Sequence, residues 1–241
     1  MSAPITGYAE LQAVSNFSFL RGAAHPEELV DTAAALGHHA LAIADHNTLA
    51  GVVRGHVAAR AHDLRYVVAS RLDLVDGPSV LALPQDRAAY GRLSRLLSLG
   101  KRRAAKGNCH LARDDLAALG GGHHLLVLPP ARPDAVFAGH LDRFSALFRG
   151  QCWLAGHLLY GGRDRAWLAH LAELARRHRA PLVATGAVHY HVPERRPLQD
   201  VLTCVRHHCT IDDAGYRLAA NAERYLKPPA EMARLFRDYP A

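Results

Sequence analysis

The chain has 241 residues, 49% of them hydrophobic, which is enough for one large α/β domain with a sizeable core. Its net charge of +7 fits either a partner that carries phosphate groups or a solvated arginine-rich surface. The sequence has no run of ~20 apolar residues and no secretion signal, which argues against a membrane span and against export. Its four cysteines form no C-x-x-C pair, which argues against a disulfide framework or a zinc ribbon. Together these features predict a cytoplasmic protein.

Short apolar runs alternate with helical patterns along the whole chain. The runs predict seven strands, at residues 8–14, 40–44, 66–69, 80–83, 125–128, 153–159 and 181–185. Most are apolar on consecutive residues, as in parallel strands covered on both faces. Seven strands with crossovers predict an α/β fold, a (β/α)7 barrel of mainly parallel strands, with an open doubly wound sheet as the alternative. In both, functional side chains lie at the carboxyl ends of the strands.

Caps and apolar spacing predict the helices between the strands. Pro26 begins the first helix and Gly37 ends it. Asn47 caps the second, which runs to about His62, and the third begins near Asp86. Three further helices carry apolar stripes of the kind that packs on a core. The stripes are Phe137, Leu141, Phe144 and Phe148; Trp167, Leu168, Leu171 and Leu174; and Leu198, Val201, Leu202 and Val205.

Two strand ends carry residues that can bind a metal or transfer protons. Asp45 and His46 directly follow the second strand, although with Asn47 they also fit a helix-capping cluster. His189 and His191 follow the last strand, and in extended backbone their side chains point to one face, where both can reach one ion. The alternative is a pair of ordinary loop histidines in a chain that has 17.

Two other segments suit contacts with phosphate groups. Asn16, Ser18 and Arg21 lie in the loop after the first strand, where they can contact phosphate or simply pack. The basic stretch with Lys101, Arg102 and Arg103 can contact nucleic acid, but a solvated helix end explains it better. The chain has no P-loop, no G-x-G-x-x-G after a strand and no G-x-S-x-G elbow, which argues against a nucleotide hydrolase, a dinucleotide-binding enzyme or a serine hydrolase.

Several strings of the sequence resemble one family over nearly the whole chain. They include S-N-F-S-F-L-R-G-A at 15–23, D-H-N-T-L-A-G-V-V at 45–53, L-V-A-T-G-A-V-H at 182–189 and N-A-E-R-Y-L at 221–226. These strings are similar to the N-terminal PHP (polymerase and histidinol phosphatase) domain of bacterial error-prone C-family DNA polymerases.

The resemblance implies an origin and a set of partners. It implies a PHP barrel at residues 1–210 and a tail at 211–241 that would lead into the palm of a DNA-directed DNA polymerase, with the polymerase core absent. The parent would act in translesion synthesis during damage-induced mutagenesis, and this chain alone would be non-catalytic and structural. Its partners would be the polymerase core, other translesion-synthesis proteins and, indirectly, DNA, with no membrane. The alternative is a metal-dependent PHP phosphoesterase or 3′ exonuclease.

The chain departs from the family where metal ligands are expected. At those positions it has Gln12, Val14, Arg21, Arg71 and Ala187. Arginine stays protonated at physiological pH and repels divalent cations, so the departures argue against a complete metal cluster.

His46 and His189 remain as ligand types, with Asp45 beside the first and His191 near the second. These four residues form a vestigial or weak candidate metal site. The resemblance therefore implies no tightly bound cofactor, with weak binding of zinc or manganese as the alternative.

Overall fold

Residues 7–239 are described by the computed structural model. Seven strands form one curled sheet in sequence order: β1 (Ala9–Ala13), β2 (Ala40–His46), β3 (Arg65–Leu72), β4 (Val80–Pro84), β5 (His123–Val127), β6 (Cys152–Gly156) and β7 (Leu182–Ala184). Neighbours are parallel except that β4 runs antiparallel to β3 and β5. The predicted α/β fold of seven mainly parallel strands is confirmed.

Hydrogen bonds bring the two edges of the sheet together. The Val14 amide donates to the Val188 carbonyl over 2.9 Å, and the Val188 amide donates to the Gln12 carbonyl over 3.0 Å. The segment after β7 therefore lies beside β1, as a barrel-like sheet requires. The predicted domain limits, 1–210 and 211–241, remain a prediction, and residues 1–6 and 240–241 within them lie outside the described residues.

Seven α-helices form within the described residues. They are α1 (Pro26–Ala35), α2 (Val52–Ala61), α3 (Arg87–Arg102), α4 (Ala135–Leu147), α5 (Asp164–Arg177), α6 (Arg196–His207) and α7 (Pro229–Leu235). Pro26 opens α1 as predicted, and Asp86 caps α3 by accepting a hydrogen bond from the Ala89 amide over 2.7 Å. Within residues 7–239, no helix is both long and apolar enough to cross a membrane.

The core has an inner and an outer part. Small and branched side chains of β2–β6, including Ala42, Ala44, Leu81 and Leu126, pack inside the barrel. The stripes predicted for α4 and α5 pack on the outside of the sheet, and Phe144 and Leu171 are almost fully buried there. Burial of this apolar surface stabilises the fold by roughly 25 cal/mol per Å².

Two local predictions were wrong. Asn47 does not cap α2, which begins at Val52 after Gly51. Asn47 has a left-handed φ of 53°, and its side-chain oxygen accepts a hydrogen bond from the Asp73 amide, so it ties the end of β2 to the end of β3. The sixth strand ends at Gly156 rather than at residue 159, which frees His157 from the strand.

The outer face of α6, defined by Leu198, Val201 and Val205, is 41–52% exposed. Three of the four residues of the core-type stripe predicted for this helix are therefore exposed, and the fourth, Leu202, is half-buried. The opposite, polar side of α6 packs on the loop at 15–24, because Gln199 donates to the Arg21 carbonyl and Arg206 donates to the Leu20 carbonyl over 3.0 Å. Hydrogen bonds to this loop fix the orientation of the helix and leave its apolar face without a partner among the described residues.

Candidate functional site

The carboxyl ends of the parallel strands form one end of the barrel, called the mouth below. Asp45 and His46 end β2, Asp73 follows β3, His157 follows β6, and His189 lies beyond β7. The loop at 15–24 touches both sides of this group, because its residues bond to Asp45 and to the His189 carbonyl. The structure therefore brings the predicted residues Asp45, His46 and His189 to the same end of the sheet.

Asp45 is only 2% exposed and both of its carboxylate oxygens are occupied. One oxygen accepts from the Ser15 amide (2.8 Å) and the Ser18 hydroxyl (2.6 Å), and the other from the Ser15 hydroxyl (2.7 Å). Burial raises the pKa of Asp45 above its usual value, and the serine hydrogen bonds oppose that rise. The carboxylate therefore anchors the loop at 15–24 and has little capacity left for a metal.

His46 is held by a carboxylate that the sequence did not point to. Its Nδ1 lies 2.7 Å from Asp73 Oδ2, while Asp73 Oδ1 accepts from Arg71 Nε over 2.7 Å and from the Ser79 hydroxyl over 2.6 Å. Burial lowers the pKa of His46 more than Asp73 raises it. Burial acts to raise the pKa of Asp73, but His46 and Arg71 outweigh it and hold that pKa well below its usual value.

His189 and His191 have different charged neighbours. Burial, followed by the charges of Arg224 and His46, holds the pKa of His189 well below its usual value. Burial also lowers the pKa of His191, but the charge with the largest effect on it is that of Glu28, on α1, which opposes the fall. The prediction that the two histidines share one ion remains a prediction.

A cavity of about 620 Å³ opens at the mouth. Gln12, Arg71 and Ala187 line it, together with Arg224 and His157. Burial and the Arg224 charge lower the pKa of His157 to about 4, so this imidazole is neutral at physiological pH. The charged groups that line the cavity are two guanidinium groups and the Asp134 carboxylate, and the His157 imidazole beside them is neutral.

The residues present do not fit a multinuclear metal cluster. Within residues 7–239, no three histidine, cysteine, aspartate or glutamate side chains come together in a metal-binding arrangement. The Asp45 oxygens are bonded to serines, and Arg71 lines the cavity. A protonated guanidinium at this place opposes divalent cations.

Three residues of the mouth were not predicted. Asp73 directly follows β3, which ends at Leu72, whereas the sequence predicted that this strand ends at residue 69. A strand predicted to its full length would have placed Asp73 among the functional candidates at strand ends. His157 was hidden because the sixth strand was predicted to run past it. Arg224 comes from a segment after α6, and no local signal in the sequence connects it with the mouth.

The predicted nucleic-acid residues lie at the end of α3. Lys101 and Arg102 are exposed in its last turn, where positive charge favours the helix dipole. Arg103 follows the helix and pairs with Asp115 at 2.7 Å. The geometry fits a solvated helix end, and contact with nucleic acid remains a prediction.

Residues 10–176, more than half of the chain, match the family model of the PHP domain. The chain belongs to the PHP domain family. This PHP chain is 54% identical over 97% of its length to an error-prone DNA polymerase of Caulobacter vibrioides and 52% identical over 98% of its length to one of Rhodopseudomonas palustris. It spans only 22% of the length of each of these relatives.

Solved structures confirm the PHP-type fold. A metal-dependent phosphoesterase from Bifidobacterium adolescentis aligns with a TM-score of 0.59 at 18% identity, covering 78% of this chain and 89% of that one. An amidohydrolase from Chromobacterium violaceum, which holds sulfate and no metal, aligns with a TM-score of 0.57 at 17% identity, covering 76% of this chain and 88% of that one. At such identities the likeness concerns the fold alone.

Proposed function

We propose that this chain is the PHP module of an error-prone DNA polymerase and that its role there is structural. The observation that carries the proposal is the 54% identity to such a polymerase along almost the entire chain. The module would stabilise a polymerase core that performs nucleotidyl transfer. The whole polymerase would work in the cytoplasm, in translesion synthesis during damage-induced mutagenesis, with other translesion-synthesis proteins and with DNA contacted indirectly.

The mouth supports a structural role. Asp45 holds a loop through three hydrogen bonds, and Asp73 is shared among His46, Arg71 and Ser79. Carboxylates used in this way fix the backbone around them and leave few ligands for a catalytic ion. This arrangement supports the proposal of a degenerate metal site.

The outer face of α6 supports a polymerase core as the partner. Three apolar side chains on one helix face are exposed in this chain, and Phe19, 80% exposed, lies on the loop that supports the helix. Exposed apolar patches mark interaction surfaces. Most of the polymerase relatives' length lies beyond the part that this chain matches, so the polymerase core is the partner that we propose for this face.

Co-expression tests the structural role. The 241-residue chain would be produced together with the Caulobacter vibrioides polymerase from which the matching segment has been removed. We expect the chain to co-purify with that polymerase body and to increase its soluble yield and primer extension. A body that is equally soluble and active alone, and that does not retain the chain, would contradict the proposal.

A second function, metal-dependent phosphoesterase or 3′ exonuclease, is favoured by one observation. His46 is oriented by a hydrogen bond with Asp73, an arrangement found in general acid–base catalysis, and Arg71, the other partner of Asp73, lines the cavity. Hydrolysis of a chromogenic phosphate ester and of a 3′-labelled strand, with manganese or zinc, distinguishes the two functions. We expect no hydrolysis above the level of the His46→Ala variant, and hydrolysis that this substitution abolishes would favour the enzyme.

A further inference from the structure

Arg224 is a half-buried cation without a carboxylate partner among the described residues. Its Nη1 donates to the Ala187 carbonyl over 3.3 Å, and the positive charge of Arg71 acts against its own charge. Burial lowers the pKa of Arg224, yet a guanidinium stays protonated. A buried charge is costly unless it is paired, so this position favours an anion that neutralises it.

Arg71 lines the same cavity and is fixed in place. Its Nε donates to Asp73 and its Nη2 donates to the Ser79 hydroxyl over 3.0 Å. The ion pair with Asp73, 2.7 Å from the Arg71 Nε, holds this guanidinium at the edge of the cavity. Asp134 is the carboxylate in the cavity wall, and it caps α4 by accepting from the Phe137 amide. The residues that line the cavity therefore include two positively charged side chains and one negatively charged one.

Further polar side chains complete the lining. Gln12 uses its side-chain oxygen to accept from the Thr185 hydroxyl over 2.8 Å, which leaves its amide nitrogen as a donor. His157 and His140 line the cavity, and each has a buried Nδ1 without a hydrogen-bond partner among residues 7–239. Two guanidinium groups with nearby neutral donors match an oxyanion that has several acceptor oxygens.

We propose that the cavity binds a terminal phosphate group directly, without a metal, through Arg224 and Arg71. The planar guanidinium offers paired N–H groups that match phosphate oxygens, whereas a divalent cation would meet two like charges. A cavity of about 620 Å³ leaves room for the group that carries the phosphate. This inference goes beyond the structural role, because it assigns a ligand to the mouth.

Titration of the 241-residue chain with inorganic phosphate, in EDTA and at low ionic strength, tests the site by calorimetry. We expect one saturable site, weakened about tenfold or more in Arg71→Gln and in Arg224→Gln, since each loses a charge-assisted hydrogen bond. Arg176→Gln is the matched control, because Arg176 is exposed on α5 and pairs with Glu173 far along that helix. It should bind phosphate like the unaltered chain.

Arg224→Gln can disturb folding, and circular dichroism checks for this. Arg71→Gln and Arg224→Lys keep the test decisive if Arg224→Gln does not fold. No saturable binding, binding unaffected by Arg71→Gln, or binding that requires added manganese would each overturn the proposal.

The source of the phosphate is resolved with short strands and a mononucleotide. Tighter binding of a 5′-phosphorylated strand than of adenosine monophosphate assigns the site to DNA ends, and equal binding assigns it to free nucleotides. Equal binding of phosphorylated and unphosphorylated strands would contradict a site for a terminal phosphate.

Discussion

The carboxylate side chains at the mouth of the barrel have partners within the chain, whereas the side chains on the outer face of α6 do not among the described residues. At the mouth, Asp45 and Asp73 are bound by serine, histidine and arginine side chains of the chain itself. On α6, Leu198, Val201 and Val205 are exposed, although buried contacts would suit them better. The two regions are joined by the loop at 15–24, which Asp45 holds from one side and Arg206 from the other.

The difference suggests that the mouth stabilises the chain itself and that α6 contacts a partner. In this chain the polar groups of the mouth stabilise the loop that positions α6, and α6 presents an apolar surface outward. A site built for metal chemistry would instead leave its carboxylates open to an ion. The comparison therefore favours a binding module over a hydrolase, and the substitutions below test its two sides.

Asp45→Ala has the largest expected effect. It removes the acceptor of three buried hydrogen bonds and leaves the Ser15 amide and two hydroxyls unpaired. We expect the free energy of unfolding to fall by about 3 kcal/mol, measured by urea denaturation. Asp31→Ala, which removes an exposed partner of His62, should change it by less than about 0.5 kcal/mol. A similarly small change for Asp45→Ala would mean that the carboxylate does not hold the loop.

Acidification should destabilise the arginine side of the mouth through His157. Its pKa is about 4 in the folded chain and ~6.5 when unfolded, so between these values the unfolded chain binds the extra proton. Stability from this residue is therefore full above pH 6.5 and is lost as the pH falls towards 4. Lowering the pH from 7 to 5 should reduce the free energy of unfolding by about 2 kcal/mol through this residue alone.

Urea denaturation at both pH values measures that loss. His157→Gln should show a pH dependence smaller by about the same amount. His170→Gln, which alters an exposed histidine of α5, should keep the pH dependence of the unaltered chain. Identical pH dependence in the unaltered chain and in His157→Gln would show that His157 is not shielded from protons by Arg224 and burial.

Substitutions on α6 should change stability least and binding most. Val201→Ser should alter the free energy of unfolding by less than about 0.5 kcal/mol, since Val201 is half exposed. The same change should reduce co-purification with the polymerase body described above. Val53→Ser, an exposed valine on α2, is the matched control and should leave co-purification intact. Equal co-purification of both variants would remove α6 from the proposed interface.

Much of the fold could be predicted because it depends on local patterns. Consecutive apolar residues such as 40–44 identify buried strands, and Pro26 and Asp86 mark helix starts through their own chemistry. The antiparallel direction of β4 could not be predicted, because an apolar run has the same pattern in either direction.

The site was harder to predict because it depends on tertiary contacts. The sequence predicts that Asp45 and His46 lie at a strand end, but it does not predict that serines donate hydrogen bonds to the Asp45 oxygens. Arg224 lines the cavity because of the path that the chain takes after α6. The periodicity of apolar residues does not predict that path. The stripe on α6 was read as core, since an exposed apolar stripe and a buried one have the same spacing.

The metal content of the chain tests the central claim most directly. The chain would be produced in medium supplemented with zinc and manganese, dialysed against a mild chelator and measured by elemental analysis. We expect less than one equivalent of metal per chain, because Asp45 is occupied and Arg71 and Arg224 place two cations at the mouth. Two or three tightly held ions per chain, lost in His46→Ala, would contradict a degenerate site.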